Sequence, residues 1–194
     1  VLIAGLRGGS ISFDGMFDGT AFSTASTATT GALDSKLHTA LASTRQPVIT
    51  VGPEADTIGR RARLIQAEQV SYTAMSPVED VVKVAGAAQV SGRQDYGVWL
   101  HNLAARTSTS STFASVNSGY VAGTTGGGVG HFHMTADSTI TSFIGKVQHS
   151  SAAASWADLI TFTDSDESTG TAAVQRATVS GTVKRYTRYI VSTF

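Results

Sequence analysis

The sequence predicts a mainly β protein with one short helix, organised as two β domains, and three observations carry that prediction. Residues 46–92 and 143–194 are both trains of short apolar or alternating stretches separated by polar turns. Charged residues make up only 14% of the 194, against about a quarter in an ordinary soluble domain, and Ser, Thr, Ala and Gly take their place. That mix is poor for long surface helices and suits strands, turns and closely stacked surfaces. Finally, a helical period of apolar residues is convincing in one stretch alone.

The elements follow in order. Ser10-Ile11-Ser12-Phe13 reads as a strand, with Asp14-Gly15 and Asp18-Gly19 as turn signals after it. Residues 20–32 are Ser/Thr/Ala-rich and read as a loop. Asp34 caps the helix, Ser35 to Ser43, in which Leu33, Leu37 and Leu41 share a face at four-residue spacing. A helix this short must pack on a sheet to persist. Val48 to Val51 is a strand, Gly52-Pro53 ends it, and residues 54–61 form a charged turn. Ala62 to Ala74 and Val78 to Val90 are two long strands joined at Ser76-Pro77. In the second of these, Val78, Val82, Val84 and Val90 lie on one face and Glu79, Lys83 and Gln89 on the other.

Polar residues from Ser91 to Asp95 mark the domain boundary, giving domains 1–92 and 93–194. Beyond it, Tyr96 to Ala105, Val129 to Thr135, Ile140 to His149, Trp156 to Phe162, Val174 to Val179 and Val183 to Thr193 are spaced as in a β-sandwich. Ser108 to Thr112 and Thr124 to Gly128 read as loops.

Composition excludes several classes. The formal net charge is zero, without the basic excess of a phosphate-binding protein. Low net charge also removes long-range repulsion between copies. The absence of cysteine excludes disulfides and thiolate metal sites. No apolar run reaches the length of a membrane span. The chain opens on Val1 rather than Met, so an upstream segment is expected.

Chemistry-bearing patterns are sparse. His131 and His133, at i and i+2 on a strand, would point to one face, a geometry that suits a metal with His149 or Asp137 as third ligand. The preferred reading is a polar sandwich face with Phe132 and Met134 turned into the core, and no metal or other cofactor is expected. The glycines at 126–128 and 130 lack the Lys-Ser/Thr end and the following helix of a phosphate-binding loop. No G-x-S-x-G elbow is present, and no catalytic residue is assigned. Asp164, Asp166 and Glu167 lack the spacing of a calcium loop and read as a solvated turn. Trp99 and Trp156 sit in strand patterns and read as packing residues or, alternatively, as a sugar platform. Arg185 shares a strand face with Tyr189, and Tyr186 with Arg188, which allows cation–π stacking or an ion pair to a neighbour.

Several stretches resemble the tailed-bacteriophage major tail (tail-tube) protein family. Ala4 to Ser12 followed by Gly15-Met16-Phe17-Asp18 resembles that family's strand and turn, and Val51-Gly52-Pro53-Glu54 its "yGPeG" turn. Ser71-Tyr72-Thr73 with Ser76 to Val82 resembles the strand pair closing the tube domain. Val147-Gln148-His149-Ser150, Trp156-Ala157-Asp158-Leu159 and Arg185-Tyr186-Thr187-Arg188 resemble a C-terminal β-sandwich module of phage virion proteins, with its "vqHSaDg-tWadl" and "v-RYlR" patterns. The turn through Ser150–Ala154 lacks the Asp and Gly of that pattern, and the resemblance implies further strands before the first match, at which the sequence opens.

The resemblance implies a tail-tube-like β-sandwich or barrel followed by a second β-sandwich. It implies a virion structural protein assembled in the host cytoplasm, not an enzyme. Its partners would be itself, in stacked hexameric rings, and other virion proteins, with DNA passing through the tube. A capsid decoration or cement protein and a carbohydrate-binding module are the alternatives. The charged excursion with Glu54, Asp56, Arg60, Arg61 and Arg63, together with Arg185 and Arg188, is the expected assembly interface.

Overall fold

The computed structural model describes residues 9–16, 48–75, 83–91, 94–110, 113–119, 126–134, 142–163 and 173–194. These form eleven strands, with no helix among the described residues: β1 (Ser10–Met16), β2 (Val48–Val51), β3 (Arg61–Met75), β4 (Lys83–Val90), β5 (Asp95–Val98), β6 (Val116–Asn117), β7 (Gly128–Met134), β8 (Ile144–Ser150), β9 (Ala157–Thr163), β10 (Ala173–Val179) and β11 (Tyr186–Thr193). The chain is therefore mainly β, of the broad sandwich or barrel class. The expected helix from Ser35 to Ser43, the Ser76-Pro77 turn and the Asp164–Glu167 cluster lie outside the described residues.

Two compact units emerge. The first comprises Val1–Ile49 with Ile65–Asp95, the second Thr50–Leu64 with Tyr96–Phe194. The boundary falls just after the polar stretch at Ser91–Asp95. The segment Thr50–Leu64, which sequence order places with the first domain, belongs to the second unit.

In the first unit the strand order is β1-β4-β3-β2. All pairings with known register are antiparallel, Ser10 to Met16 against Gln89 to Lys83 and Ala67 to Met75 against Val90 to Lys83, with a bulge between Gln69 and Ser71. The turn expected at Asp14-Gly15 is overridden, because both residues pair in the ladder with Ala85 and Val84. Phe13 faces Gly86 across it, and its ring fills the space that a side chain on Gly86 would need. The core is small: Ile65, Ala67 and Ala88, flanked by Ile11, Ile49 and Val90. Strand alternation explains it, since Ile65 and Ala67 are two apart, as are Ala88 and Val90.

The second unit has a four-stranded sheet, β6-β11-β8-β9, and a ribbon, β10-β7. Inward positions of the sheet supply Val147, Ile160, Phe162, Tyr189 and Val191, with Phe143 at the mouth of β8. Phe132 of β7 stacks on Phe143 and Phe162, with ring centroids 5.1 and 5.5 Å away. Ala177 and Val179 of β10 close the same core. Each large side chain removed from water here contributes on the order of 1.5–3 kcal/mol. Gly130 makes this possible. A Cβ there would lie 3.0 Å from both Ile160 Cδ1 and Phe162 Cζ, so the ring of Phe162 occupies the missing side chain's place. The expected glycine loop is thus strand from Gly128 on, and Gly126 and Gly127 before it are tied to Gly181.

The strand expected from Tyr96 to Ala105 ends at Val98. β5 pairs with β3, and that contact runs one residue further, where Trp99 exchanges backbone bonds with Gly59 and Arg60. Further on, Leu103 N–H donates to the Asp56 carboxylate rather than to a neighbouring strand. The short strand β6 escapes sequence reading, being two residues held by Tyr186 and Thr187.

Candidate functional site

The charged excursion after β2 is an ordered turn. Pro53 fixes its entry and Ala55 adopts a φ of 87°, which reverses the chain. A side chain at Gly52 would run into the Trp99 indole. That indole's Nε1 is buried, with no hydrogen-bond partner among the described residues. Arg60 Nη1 lies 3.3 Å from Glu54 Oε2 in an exposed ion pair, of the kind that contributes about 0–1 kcal/mol. Asp56 Oδ2 accepts Leu103 N–H at 2.7 Å. Arg63 stacks 5.3 Å from the Tyr96 ring centre. Arg61 is exposed and makes no ion pair among the described residues. The five charged residues expected at an interface thus share one surface stretch, and Glu54, Asp56 and Arg60 also fix the turn itself. Next to them, Tyr96, Val98 and Leu103 are exposed, Tyr96 at 75%.

Arg185 and Arg188 lie elsewhere and do different jobs. Arg185 Nε donates to Asn117 Oδ1 at 3.0 Å, and its carbonyl accepts from Ser118, so it pins β6 to the start of β11. Its guanidinium is 5.2 Å from the Tyr186 ring. Arg188 instead faces Gln148 across β11 and β8. Its Nε and Nη2 both donate to Gln148 Oε1, at 3.0 and 2.7 Å, and its guanidinium lies 4.3 Å from the ring centre of Trp156. Gln148 Nε2 donates to Asp158 Oδ1 at 2.8 Å, and Lys146 Nζ donates to Asp158 Oδ2 at 2.7 Å. Lys146, and next Gln148, hold the Asp158 carboxyl below its ordinary range. A polar row therefore crosses β9, β8 and β11. Lys146, Gln148 and Asp158 went unread as a set in the sequence. The signal that could have found them is period-2 alternation in β8 and β11, which turns Lys146, Gln148 and Arg188 away from Val147 and Tyr189.

The histidine pair is on one face, as the strand period requires. Thr50 Oγ1 lies 3.1 Å from His131 Nδ1 and 2.8 Å from His133 Nε2. One hydroxyl hydrogen lets Thr50 donate to one ring while accepting from the other. Phe132 between them enters the core. Burial lowers the His133 pKa below its ordinary value. No group of three or more His, Cys, Asp or Glu side chains able to hold a metal occurs among the described residues. His149 is engaged by Lys184 N–H at 3.3 Å, and Asp137 lies outside those residues.

A third cluster, absent from the sequence reading, surrounds His101. Its Nδ1 donates to the Asn102 carbonyl at 2.5 Å and its Nε2 accepts Arg106 Nε–H at 2.6 Å, which defines a neutral ring. Phe113 and Tyr189 pack edge-on to it, and Arg106 lies 4.5 Å from the Phe113 ring centre. Burial, and then the Arg106 charge, lower its pKa, opposed by the bond to Asn102.

Trp99 and Trp156 are each partly buried, one against Gly52 and the other under Arg188. No helix among the described residues is long and apolar enough to cross a membrane. No family model, no curated protein and no solved structure matches the chain.

Proposed function

We propose that the chain is a structural subunit of a tailed-phage virion, a tail-tube protein that assembles into stacked hexameric rings. One observation carries the reading. The described chain has two non-glycine residues with positive φ, Ala55 at 87° and Ala153 at 57°. Aligned on "yGPeG", Val51-Gly52-Pro53-Glu54 puts Ala55 at the final glycine. Aligned on "HSaDg", His149 to Ala153 puts Ala153 at the glycine. Left-handed backbone is where glycine is favoured, so two independent motif matches gain support from a property that sequence letters do not contain. The zero net charge and the exposed apolar residues of β5 and the following loop, Tyr96, Val98 and Leu103, suit a subunit packed against its own copies.

Negative-stain microscopy of the full chain at high concentration tests this, with rings or tubes expected. Persistent monomers by light scattering would overturn it, and knobs on capsids would favour the decoration reading instead. Within the tube reading, Arg60→Glu with Arg61→Glu is expected to impair assembly at least tenfold while leaving the monomer's melting point nearly unchanged. The Glu54–Arg60 pair is exposed, so its loss costs the fold little, whereas charge reversal at a contact upsets register.

A further inference from the structure

We propose that the polar row on β9, β8 and β11 is a binding site for an anionic saccharide, with Arg188 receiving the acidic group. The inference does not depend on tube assembly.

Arg188 carries a charge that no neighbour among the described residues balances. Its guanidinium is half-buried and fixed on two sides, by two bonds to Gln148 Oε1 and by the Trp156 ring. Neither partner carries a negative charge. The nearby carboxylate, Asp158, is engaged by Lys146 and by Gln148 Nε2, not by Arg188. Arg188 makes no ion pair among the described residues. A guanidinium held in place without an anionic partner is set to receive an acidic group.

The bonds to Gln148 leave one edge of it unused. Nε and one Nη2 hydrogen are used by Gln148. The edge formed by Nη1 and the second Nη2 hydrogen keeps two parallel N–H bonds, the fork that matches a carboxylate or phosphoryl group. Two contacts already hold the side chain, so little rotamer freedom remains to be lost on binding.

The rest of the row selects a polyol. Lys146 has two further N–H bonds, Gln148 Nε2 one, and Asp158 unused lone pairs, while Thr161, paired with Lys146, is exposed. A sugar hydroxyl both donates and accepts, and it answers such mixed groups. Three adjacent strands span about 10 Å, a width that accommodates more than one sugar ring. The row carries two cationic side chains against one carboxylate, so its surplus favours an acidic sugar over a neutral one.

The test uses the full chain and tetra-galacturonate, with its neutral methyl ester and inorganic phosphate as comparisons, followed by NMR and calorimetry. Binding of the acid at least tenfold tighter than the ester or phosphate is expected, with the Arg188 Nε–H resonance moving on titration. Arg188→Lys, which keeps the charge but loses the fork, is expected to weaken binding at least tenfold while its near-ultraviolet dichroism stays native. Equal affinity for acid and ester, phosphate as good as the saccharide, no binding, or an unmoved Arg188 resonance in the unmutated chain would each overturn the proposal. The resonance readout needs no variant and stands if Arg188→Lys misfolds.

Discussion

Ala55 and Ala153 occupy backbone conformations that cost an L-residue about 1–2 kcal/mol and glycine little. Glycine loses more chain entropy on folding, by up to about 1 kcal/mol. Ala153→Gly is therefore expected to stabilise the second unit by about 0.5 kcal/mol, and Ala55→Gly to do the same, read as a higher urea midpoint at unchanged slope. A lower midpoint would show that contacts of the alanine methyl outweigh the backbone term. The histidines give a second expectation. His101, His133 and His149 all have folded pKa values below the ordinary 6.5, each chiefly through burial. Between the two values the unfolded chain binds more protons, so stability is complete above pH 6.5 and falls as the pH drops through the folded values. Thermal melts at pH 7.5 and pH 5.5 should show this loss, and His101→Gln, which cannot take the proton, should reduce it. At this scale the one-face placement of His131 and His133 was legible from period 2 alone. The neutral state of His101 was not, because it depends on Arg106 folding back onto the ring.

Elements were legible where their own pattern decided them. The limits of β2, Val48 to Val51, are legible in full, and those of β3, β7, β9 and β10 within a residue or so, because alternation and burial agree there. The failures share a cause. The Asp14-Gly15 turn signal lost to ladder pairing with β4, and the strand beyond Val98 lost its backbone bonds to a carboxylate 47 residues away. Local sequence contains neither partner. Element packing yields its own expectation at Gly130. An alanine there would press on Ile160 and Phe162, each 3.0 Å from the new Cβ, and overpacking of that kind costs about 1–3 kcal/mol. Chemical denaturation of Gly130→Ala should show that loss. A second substitution, Ile160→Val, which removes the flexible Cδ1 contact, should recover part of it, where two independent defects would add.

For the whole molecule, the division into units does not follow chain order. Residues 50–64 supply Thr50 to the histidine pair, Asp56 to Leu103, and Gly59 and Arg60 to Trp99. A fragment beginning at residue 93 keeps the later strands yet loses all of these. It is expected to be less stable than the second unit in the full chain by about 3 kcal/mol or more, at about 1 kcal/mol per lost bond. Its melting curve and amide spectrum would reveal this, and a fragment as stable as the intact unit would mean that Thr50–Leu64 is a passenger. Composition and strand spacing made the mainly β class legible, whereas this interleaving was not, since spacing along a chain carries no information on which unit a turn joins.

The interleaving also sets an order in time. On a translating ribosome, every residue of the first unit has been made once Asp95 is added. Thr50–Leu64 has been made by then, but several of its partners are still unwritten: Trp99 and Leu103 come shortly afterwards, and His131 and His133 later. At roughly 5–20 residues per second, completion of the second unit trails that segment by on the order of ten seconds. During that interval Thr50, whose hydroxyl bonds both histidine rings in the finished protein, has neither ring to meet. The nascent chain thus carries a half-finished joint, and speed of synthesis through residues 96–194 governs how long it stays open to the wrong neighbour.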